Sequence, residues 1–423
     1  MRSPAVSRSE FYQYTVLLTC CLVLLLLRFS GDAMINVSSS HFMRIYLDHN
    51  ATTPLDPAVA AAVASALGEN FGNPSSIHQY GQRAKAALDD ARTDVAALFG
   101  GEPSEVVFTS GGTEADNLAI RGAALALAAA GRRRLLASAI EHEAVLATLK
   151  ALEHDGWTVE LLPVDATGVV SPESLRRVIR GDVALVSVMH ANNEIGTVQP
   201  IGELARLAHE HGVLFHTDAA QTAGRIPCDV RALGVDLASL SAHKFNGPKG
   251  AGALWARRGV RLVSHQTGGR QERGRRAGTE NVPAIVGLGL AARLARARLA
   301  SEGPRLAALR DRLEAGVLSS VRGTAVNGGS SPRLPNTTNI SFDRIEAEAL
   351  LIALDLDGIA VSTGSACSSG TLEPSHVLTA MGLPGRRIQS SIRFSLGTGT
   401  TDAEIDRVLA VLPPLVERLR RVR

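Results

Sequence analysis

Ser241-Ala242-His243-Lys244-Phe245-Asn246-Gly247-Pro248-Lys249-Gly250 follows an apolar run, Val235 to Leu240, that reads as a buried strand. Gly247, Pro248 and Gly250 then end regular structure and impose a turn. A lysine just past a strand end, on a short stiff loop, is placed to act as a nucleophile. Partial desolvation of its amine lowers the pKa and frees the lone pair. The lysine census sharpens the point. Of 44 basic residues only four are lysine, namely Lys85, Lys150, Lys244 and Lys249, and two of them fall in this loop. The rest are arginine, which cannot form a Schiff base. Taken alone, the loop reads equally as a surface charge beside a turn.

Outward from this loop, strands and helices alternate. Val106 to Thr109, Arg134 to Ile140, Thr158 to Pro163, Val183 to Met189 and Val213 to Thr217 read as buried strands. Between them lie helical stretches such as Glu114 to Ala130, Ala144 to His154 and Ile201 to His211. Such alternation predicts an α/β fold with a mostly parallel sheet covered by helices on both faces. Near residue 300 the pattern changes to α+β. Arg293 to Gly316 is a long arginine-studded helical region, and Asn339 to Phe342, Ile359 to Ser362 and Ser391 to Leu396 read as strands. Thr401-Asp402-Ala403-Glu404 is a capping box opening the last helix. The expected layout is a leader over residues 1–42 and a large domain over 58–300. A smaller α+β domain is expected from 43–57 and 301–423.

The 423 residues suffice for two substantial cores, and 45% hydrophobic with 20% charged residues is ordinary for a globular chain. A net charge of +3 gives no argument for direct nucleic-acid binding. Cys20, Cys21, Cys228 and Cys367 form no disulfide framework, which fits a reducing, cytoplasmic compartment. Tyr14 to Leu27 is nearly all apolar and follows Arg2 and Arg8, like a signal peptide or short anchor. It is short for a spanning helix, which needs about 20 apolar residues. Met34 and Met43 are alternative starts, and Met43 directly precedes the strand-like run Arg44 to Leu47. The favoured reading is an upstream segment from a mis-assigned start; if translated, it implies membrane association.

In doubly wound sheets, ligands bind beyond the carboxyl ends of the strands. The polar residues gather there. Ser110-Gly111-Gly112-Thr113 opens a helix; its glycines leave amides bare for an anion, and Thr113 adds a hydroxyl. The spacing is neither a Walker motif nor GxGxxG, so a single phosphate is expected rather than a nucleotide. Later strand ends carry Glu141-His142, Asn192-Asn193-Glu194, Asp218-Ala219-Ala220-Gln221 and Ser241-x-His243-Lys244. Each has a plain structural reading: His142 as a satisfied histidine, Asp218 as a helix N-cap, Asn193 as a turn residue. Together they supply a phosphate cradle, an aromatic ring, an amide, a carboxylate and an amine. That set suits pyridoxal 5'-phosphate, which needs a lysine amine, a carboxylate at the pyridine nitrogen and a flat group over the ring. No metal set competes, since the histidines lack HExxH spacing and no Cys/His pairing suggests zinc.

These motifs stand in order with Asp48 to Pro54, Gly72-Asn73-Pro74-Ser75-Ser76-x-His78 and Gly364-Ser365-Ala366-Cys367-Ser368-Ser369. From about residue 43 onward the chain closely resembles the cysteine desulfurases of the NifS/IscS type, in the class V aminotransferase superfamily. The resemblance implies a fold-type I pyridoxal-phosphate enzyme that converts L-cysteine to L-alanine. It implies that Lys244 holds the cofactor, Asp218 faces the pyridine nitrogen, Gln221 the ring hydroxyl, and His142 stacks on the ring and moves protons. Gly112, Thr113, Ser241 and His243 would hold the phosphate, with Asn193 beside ring and substrate. Arg276-Ala277-Gly278-Thr279 matches the element that reaches a partner's phosphate, so Thr279 implies a homodimer. Arg393 would fork onto the substrate carboxylate. Cys367, in the polar loop Ser362 to Gly370, would take the sulfur as a persulfide and deliver it to an acceptor protein, such as an iron-sulfur scaffold or a tRNA-thiolation carrier. The alternatives are a selenocysteine lyase or another class V enzyme, or a non-catalytic membrane-tethered sulfur-relay scaffold.

Overall fold

The computed structural model describes residues 44–364 and 374–421, so the leader, Met43 and Cys367 with its neighbours lie outside the described residues. A short strand, β1 (Ile45–Tyr46), opens the described chain. The central sheet follows with β2 (Val106–Thr109), β3 (Arg134–Ser138), β4 (Thr158–Leu162), β5 (Val183–Ser187), β6 (Leu214–Asp218), β7 (Leu237–Ser241) and β8 (Gly252–Ala256). Their spatial order is β2-β8-β7-β6-β5-β3-β4. The strands from β3 through β7 pair in parallel, whereas β8 runs antiparallel to both β7 and β2. The parallel part matches the sequence expectation; β8 was not anticipated. Its reason is local. The loop from Ala242 to Ala251 is too short for a crossover, so the chain can only return antiparallel.

The two faces of the sheet explain the uninterrupted apolar strands. Val186, Phe215, Ala238, Leu240 and Trp255 pack into one core with the helices Gln79–Phe99, Ile201–Glu210 and the first part of Val282–Ser320. Their neighbours Leu185, Leu237 and Leu254 point the other way, into a core with the helices Gly112–Ala128 and Glu143–His154. Side chains alternate between faces, so burial on both sides requires apolar residues at nearly every position.

A separate core forms on β9 (Thr324–Val326), β10 (Thr337–Phe342), β11 (Ile359–Ala360) and β12 (Ser391–Ser395). The antiparallel sheet runs in the order β12-β10-β9, and β1 pairs in parallel with β11. Ile45 and Leu47 are therefore buried with Phe342, Ile359 and Phe394. The helix Val282–Ser320 is longer at both ends than the sequence pattern indicates. It buries Ile285 and Leu288 in the first core, and Leu309 and Leu313 in this one. Among the described residues, no helix is long and apolar enough to cross a membrane.

One buried ion pair ties the arginine-rich loop to the sheet. Arg92 makes two hydrogen bonds to Glu272, at 2.6 and 2.7 Å, and Glu272 Oε2 also accepts from Phe108 N at 2.9 Å. The guanidinium lies 4.4 Å from the centroid of the Phe108 ring. Glu272 and Arg273 are held at φ of 46° and 59°, left-handed conformations that non-glycine residues rarely adopt. Removing one partner of a buried pair strands the other. Arg92→Met should therefore lower the unfolding free energy by about 3–5 kcal/mol, measured by denaturant titration. A change within a few tenths of a kcal/mol would show that the pair is dispensable.

Candidate active site

The carboxyl ends of β2, β3, β6 and β7 come to one edge of the sheet. Ser241 ends β7, and a single tight turn, Ala242–Lys244, presents the lysine. Lys244 Nζ donates to the carbonyls of Asn50 at 2.7 Å and Ala51 at 2.9 Å. Asp218 ends β6 and is buried. Burial pushes its carboxyl above the usual carboxylate range, while the charges of His142 and Lys244 pull it back down. Carboxylate, imidazole and amine thus share one local field. Asp218 Oδ1 also accepts from Ala220 N at 2.8 Å, so its turn-capping role and its place in the site coexist. His142 likewise caps the helix Glu143–His154, with Nδ1 accepting from Ala144 N at 3.1 Å. When that ring is neutral, its proton therefore sits on Nε2.

The glycine turn expected to cradle an anion lies against Ser241. Thr109 of β2 and Ser241 of β7 are both register partners of Gly252 on β8. That brings the start of the helix Gly112–Ala128 against Ser241. A Cβ built on Gly112 would stand 3.4 Å from Ser241 Cβ, and one on Gly252 would stand 2.6 Å from the backbone of Gly111. Only glycine at 252 permits so close an approach. Gly111 and Gly112 bring no capping side chain to the helix start, and Thr113 is exposed there. Glu114 in the same turn accepts from Ser110 N at 2.8 Å and pairs with Arg276 at 2.8 Å. His243 reaches Thr52 Oγ1 at 3.1 Å, and burial lowers its pKa to about 4, so it stands neutral.

The rest of the site is organised by the turn at Asn50, to which sequence reasoning gave no role. The Asn50 carbonyl accepts from both Lys244 and Gln221, and its Nδ2 donates to the Asn193 carbonyl at 3.0 Å and to Thr337. Gln221 has both ends of its amide engaged, since its Oε1 accepts from Arg225. Arg225 further donates to the carbonyls of His49 and Lys244, each at 3.0 Å. Burial lowers its pKa to about 9. Arg393 is also buried; one limb of its fork meets Asp48 Oδ1 at 2.6 Å and the other the Asn193 carbonyl at 3.0 Å. Its Nε has no hydrogen-bond partner among the described residues. The structure thus gathers Gly112, His142, Asn193, Asp218, Gln221, Ser241, His243, Lys244 and Arg393 around this edge. Thr279 lies exposed, outside this hydrogen-bonded set. The polar run Asp48 to Pro54 was the available signal for Asn50; nothing in the local sequence singled out Arg225.

Beneath Asp218 lies a second buried polar layer. His216, two residues earlier on β6, bonds Ser187 Oγ through Nδ1 and Ser239 Oγ through Nε2, each at 2.9 Å. Asp116 Oδ1 approaches its Nε2 at 3.5 Å. Burial lowers the His216 pKa to about 3, and burial together with the Asp218 charge pushes Asp116 well above the carboxylate range. His216 is therefore neutral near pH 7. An unfolded histidine titrates near about 6.5, so the unfolded chain binds the extra proton first on acidification. The His216 contribution is then complete above that pH and is lost as pH falls toward 3. His216→Gln should flatten the acid limb of the stability profile by up to about 1.4 kcal/mol per pH unit between pH 6 and 4. Parallel profiles for parent and variant would refute a neutral buried imidazole.

The fold and this edge define a member of the class-V aminotransferase family, which matches residues 45–408; the chain belongs to it. Within it, the chain is 50% identical over 387 residues to the cysteine desulfurase IscS of Methanosarcina thermophila, covering 92% of this chain and 95% of that one. It is also similar to a solved NifS-like protein, at 39% identity and a TM-score of 0.83, covering 89% of this chain and 100% of that one. A third similarity is to SspA in complex with cysteine, at 35% identity and a TM-score of 0.73, covering 83% and 98%. The mostly parallel sheet flanked by helices is the fold-type I arrangement.

Proposed function

We propose that this chain is a pyridoxal-phosphate-dependent cysteine desulfurase that converts L-cysteine to L-alanine and retains the sulfur on Cys367. The observation that carries the reading is Lys244 in one electrostatic environment with Asp218 and His142, beside a glycine cradle at a helix start. The residues present fit the cofactor. Lys244 would hold it covalently, Asp218 would face its ring nitrogen, His142 its ring, and Gln221 its hydroxyl. The Gly111–Thr113 amides with Ser241 and His243 would take its phosphate. When bound, the cofactor supplies an electron sink for charge developing at the substrate Cα.

This chain's own residues do the rest. Arg393 orients the substrate carboxylate, exchanging its contact with Asp48 for the incoming anion. Lys244 Nζ removes the Cα proton and returns it to Cα after the C–S bond has broken. The Cys367 thiolate attacks the substrate sulfur. An S–S bond forms, the C–S bond breaks with its electron pair left on carbon, and that carbon takes a proton to become the methyl of alanine. Thiol and cysteine thus give persulfide and alanine, with no external oxidant. Cys228 is unsuited to this task, because burial pushes its thiol up to about 12. The persulfide then passes to a thiol of an acceptor protein. The exposed Thr279 reaches the cradle of a second copy in a homodimer, and the reducing cytoplasm keeps the thiol available. The IscS name of the Methanosarcina relative and the cysteine bound in the SspA structure support this reading.

The test is direct. Purified holoenzyme given L-cysteine should release alanine, and intact-mass and peptide analysis should find one extra sulfur atom on Cys367. Absence of alanine, or the extra sulfur on Cys228 instead, would sink the proposal.

A further inference from the structure

Glu194 is a buried acid that the steps above leave unused. It is 2% exposed, and its backbone is fixed on both sides. Its N–H donates to Asn192 Oδ1 at 2.9 Å, and its carbonyl accepts from Asn339 at 3.2 Å. The carboxylate Oε2 accepts from Ser375 Oγ at 2.6 Å. Ser375 in turn caps the short helix His376–Ala380 through Leu378 N at 3.1 Å. The same oxygen also lies close to Gly364. A Cβ built there would lie 3.0 Å from Oε2 and 3.2 Å from Cγ, and Gly364 has a φ of 90°. Gly364 is the last described residue before the segment that carries Cys367, and Ser375 is the second described residue after it. One carboxyl group therefore lies close against Gly364, before the Cys367-bearing segment, and accepts from Ser375, after it. Its surroundings also join it to the site: burial raises its pKa, and the Ser375 hydroxyl and the charges of His376, Arg393 and His142 lower it.

We infer that Glu194 is a positioning residue that holds Gly364 and Ser375, on either side of the Cys367-bearing segment, so that sulfur transfer depends on it and substrate binding does not. The inference rests on the desulfurase reading. Its physical basis is that a chain segment reaches a target reproducibly only if its ends are fixed, and a misplacement of about 1 Å can cost about 10²-fold in rate. The acting group is the acceptor oxygen shared by Ser375 and packed on Gly364, so the negative charge is dispensable.

Glu194→Ala and Glu194→Gln holoenzymes separate these ideas. In Glu194→Ala, amide hydrogen exchange of residues 374–380 should rise, while the visible absorbance of the bound cofactor stays parental. Alanine formation at saturating L-cysteine should fall about tenfold with KM close to parental. Glu194→Gln keeps an acceptor oxygen and should restore both exchange and kcat. Parental exchange and kcat in Glu194→Ala would overturn the inference, as would a Gln variant as impaired as the Ala variant, or an effect on KM alone. Should Glu194→Ala fail to fold, Gly364→Ala and Ser375→Ala carry the same expectation, and parental behaviour of both overturns it. If the parent itself yields no alanine, the desulfurase reading fails, while the exchange comparison still decides whether Glu194 holds Gly364 and Ser375.

Discussion

Lys244→Ala should abolish both the visible absorbance of the lysine-bound cofactor and alanine formation, the latter by about 10⁴-fold or more. The size follows from the number of tasks resting on one amine. In the proposed reaction the Lys244 amine both anchors the cofactor and moves the Cα proton. Lys249, in the same loop, is the natural control, because it ends up past the turn near the exposed Gly250. Lys249→Ala should retain absorbance and turnover near the parental level. Absorbance spectra of the reconstituted proteins and amino-acid analysis of the products check this. Borohydride reduction followed by peptide mapping should place the cofactor's mass on the peptide containing Lys244. Equal losses in both variants would show that the loop's general charge matters, and not the amine held by the Asn50 and Ala51 carbonyls.

Cys367→Ala should give the complementary phenotype. The absorbance of the bound cofactor should persist, and L-cysteine should still perturb it, because Lys244, Asp218 and Arg393 are all in place. Alanine and persulfide formation should fall by about 10³-fold or more, the usual consequence of deleting a nucleophile that nothing else supplies. Cys228 offers no substitute, with its thiol buried beside the Ile226 carbonyl at 3.4 Å and unable to ionise near neutral pH. Spectral titration with L-cysteine and product analysis make the distinction. Undiminished alanine formation in Cys367→Ala would mean that sulfur leaves without a protein thiol.

Much of this edge was legible before any coordinates, for a simple reason. A parallel strand covered on both faces must be apolar along its length, so a polar residue just past its end stands out. That is how Asp218, His142, the Gly111–Gly112 cradle and Lys244 announce themselves. Asn50 and Arg225 did not, because their importance lies in backbone carbonyls and long-range bonds. The Asn50 carbonyl meets Lys244 across almost two hundred positions of sequence, and a carbonyl has no residue-type signature. The antiparallel β8 was missed for a related reason: a five-residue apolar stretch has no intrinsic direction, and only the short connection from β7 sets it.

Arg393 shows the division most clearly. Its identity and its place on a strand near the chain's end are sequence facts, and they carry the expectation of a carboxylate partner. That the partner in the folded chain is Asp48, and that its other limb holds the Asn193 carbonyl, follows only when β1 docks beside β11 and the bridge from Asp48 to Ser395 forms. The sequence by itself determined the periodicity, the glycines and the reactive side chains, since these are local properties of each residue. Tertiary structure alone decided which distant carbonyl or carboxylate satisfies each buried donor, because that choice is made by chain packing and not by any single residue.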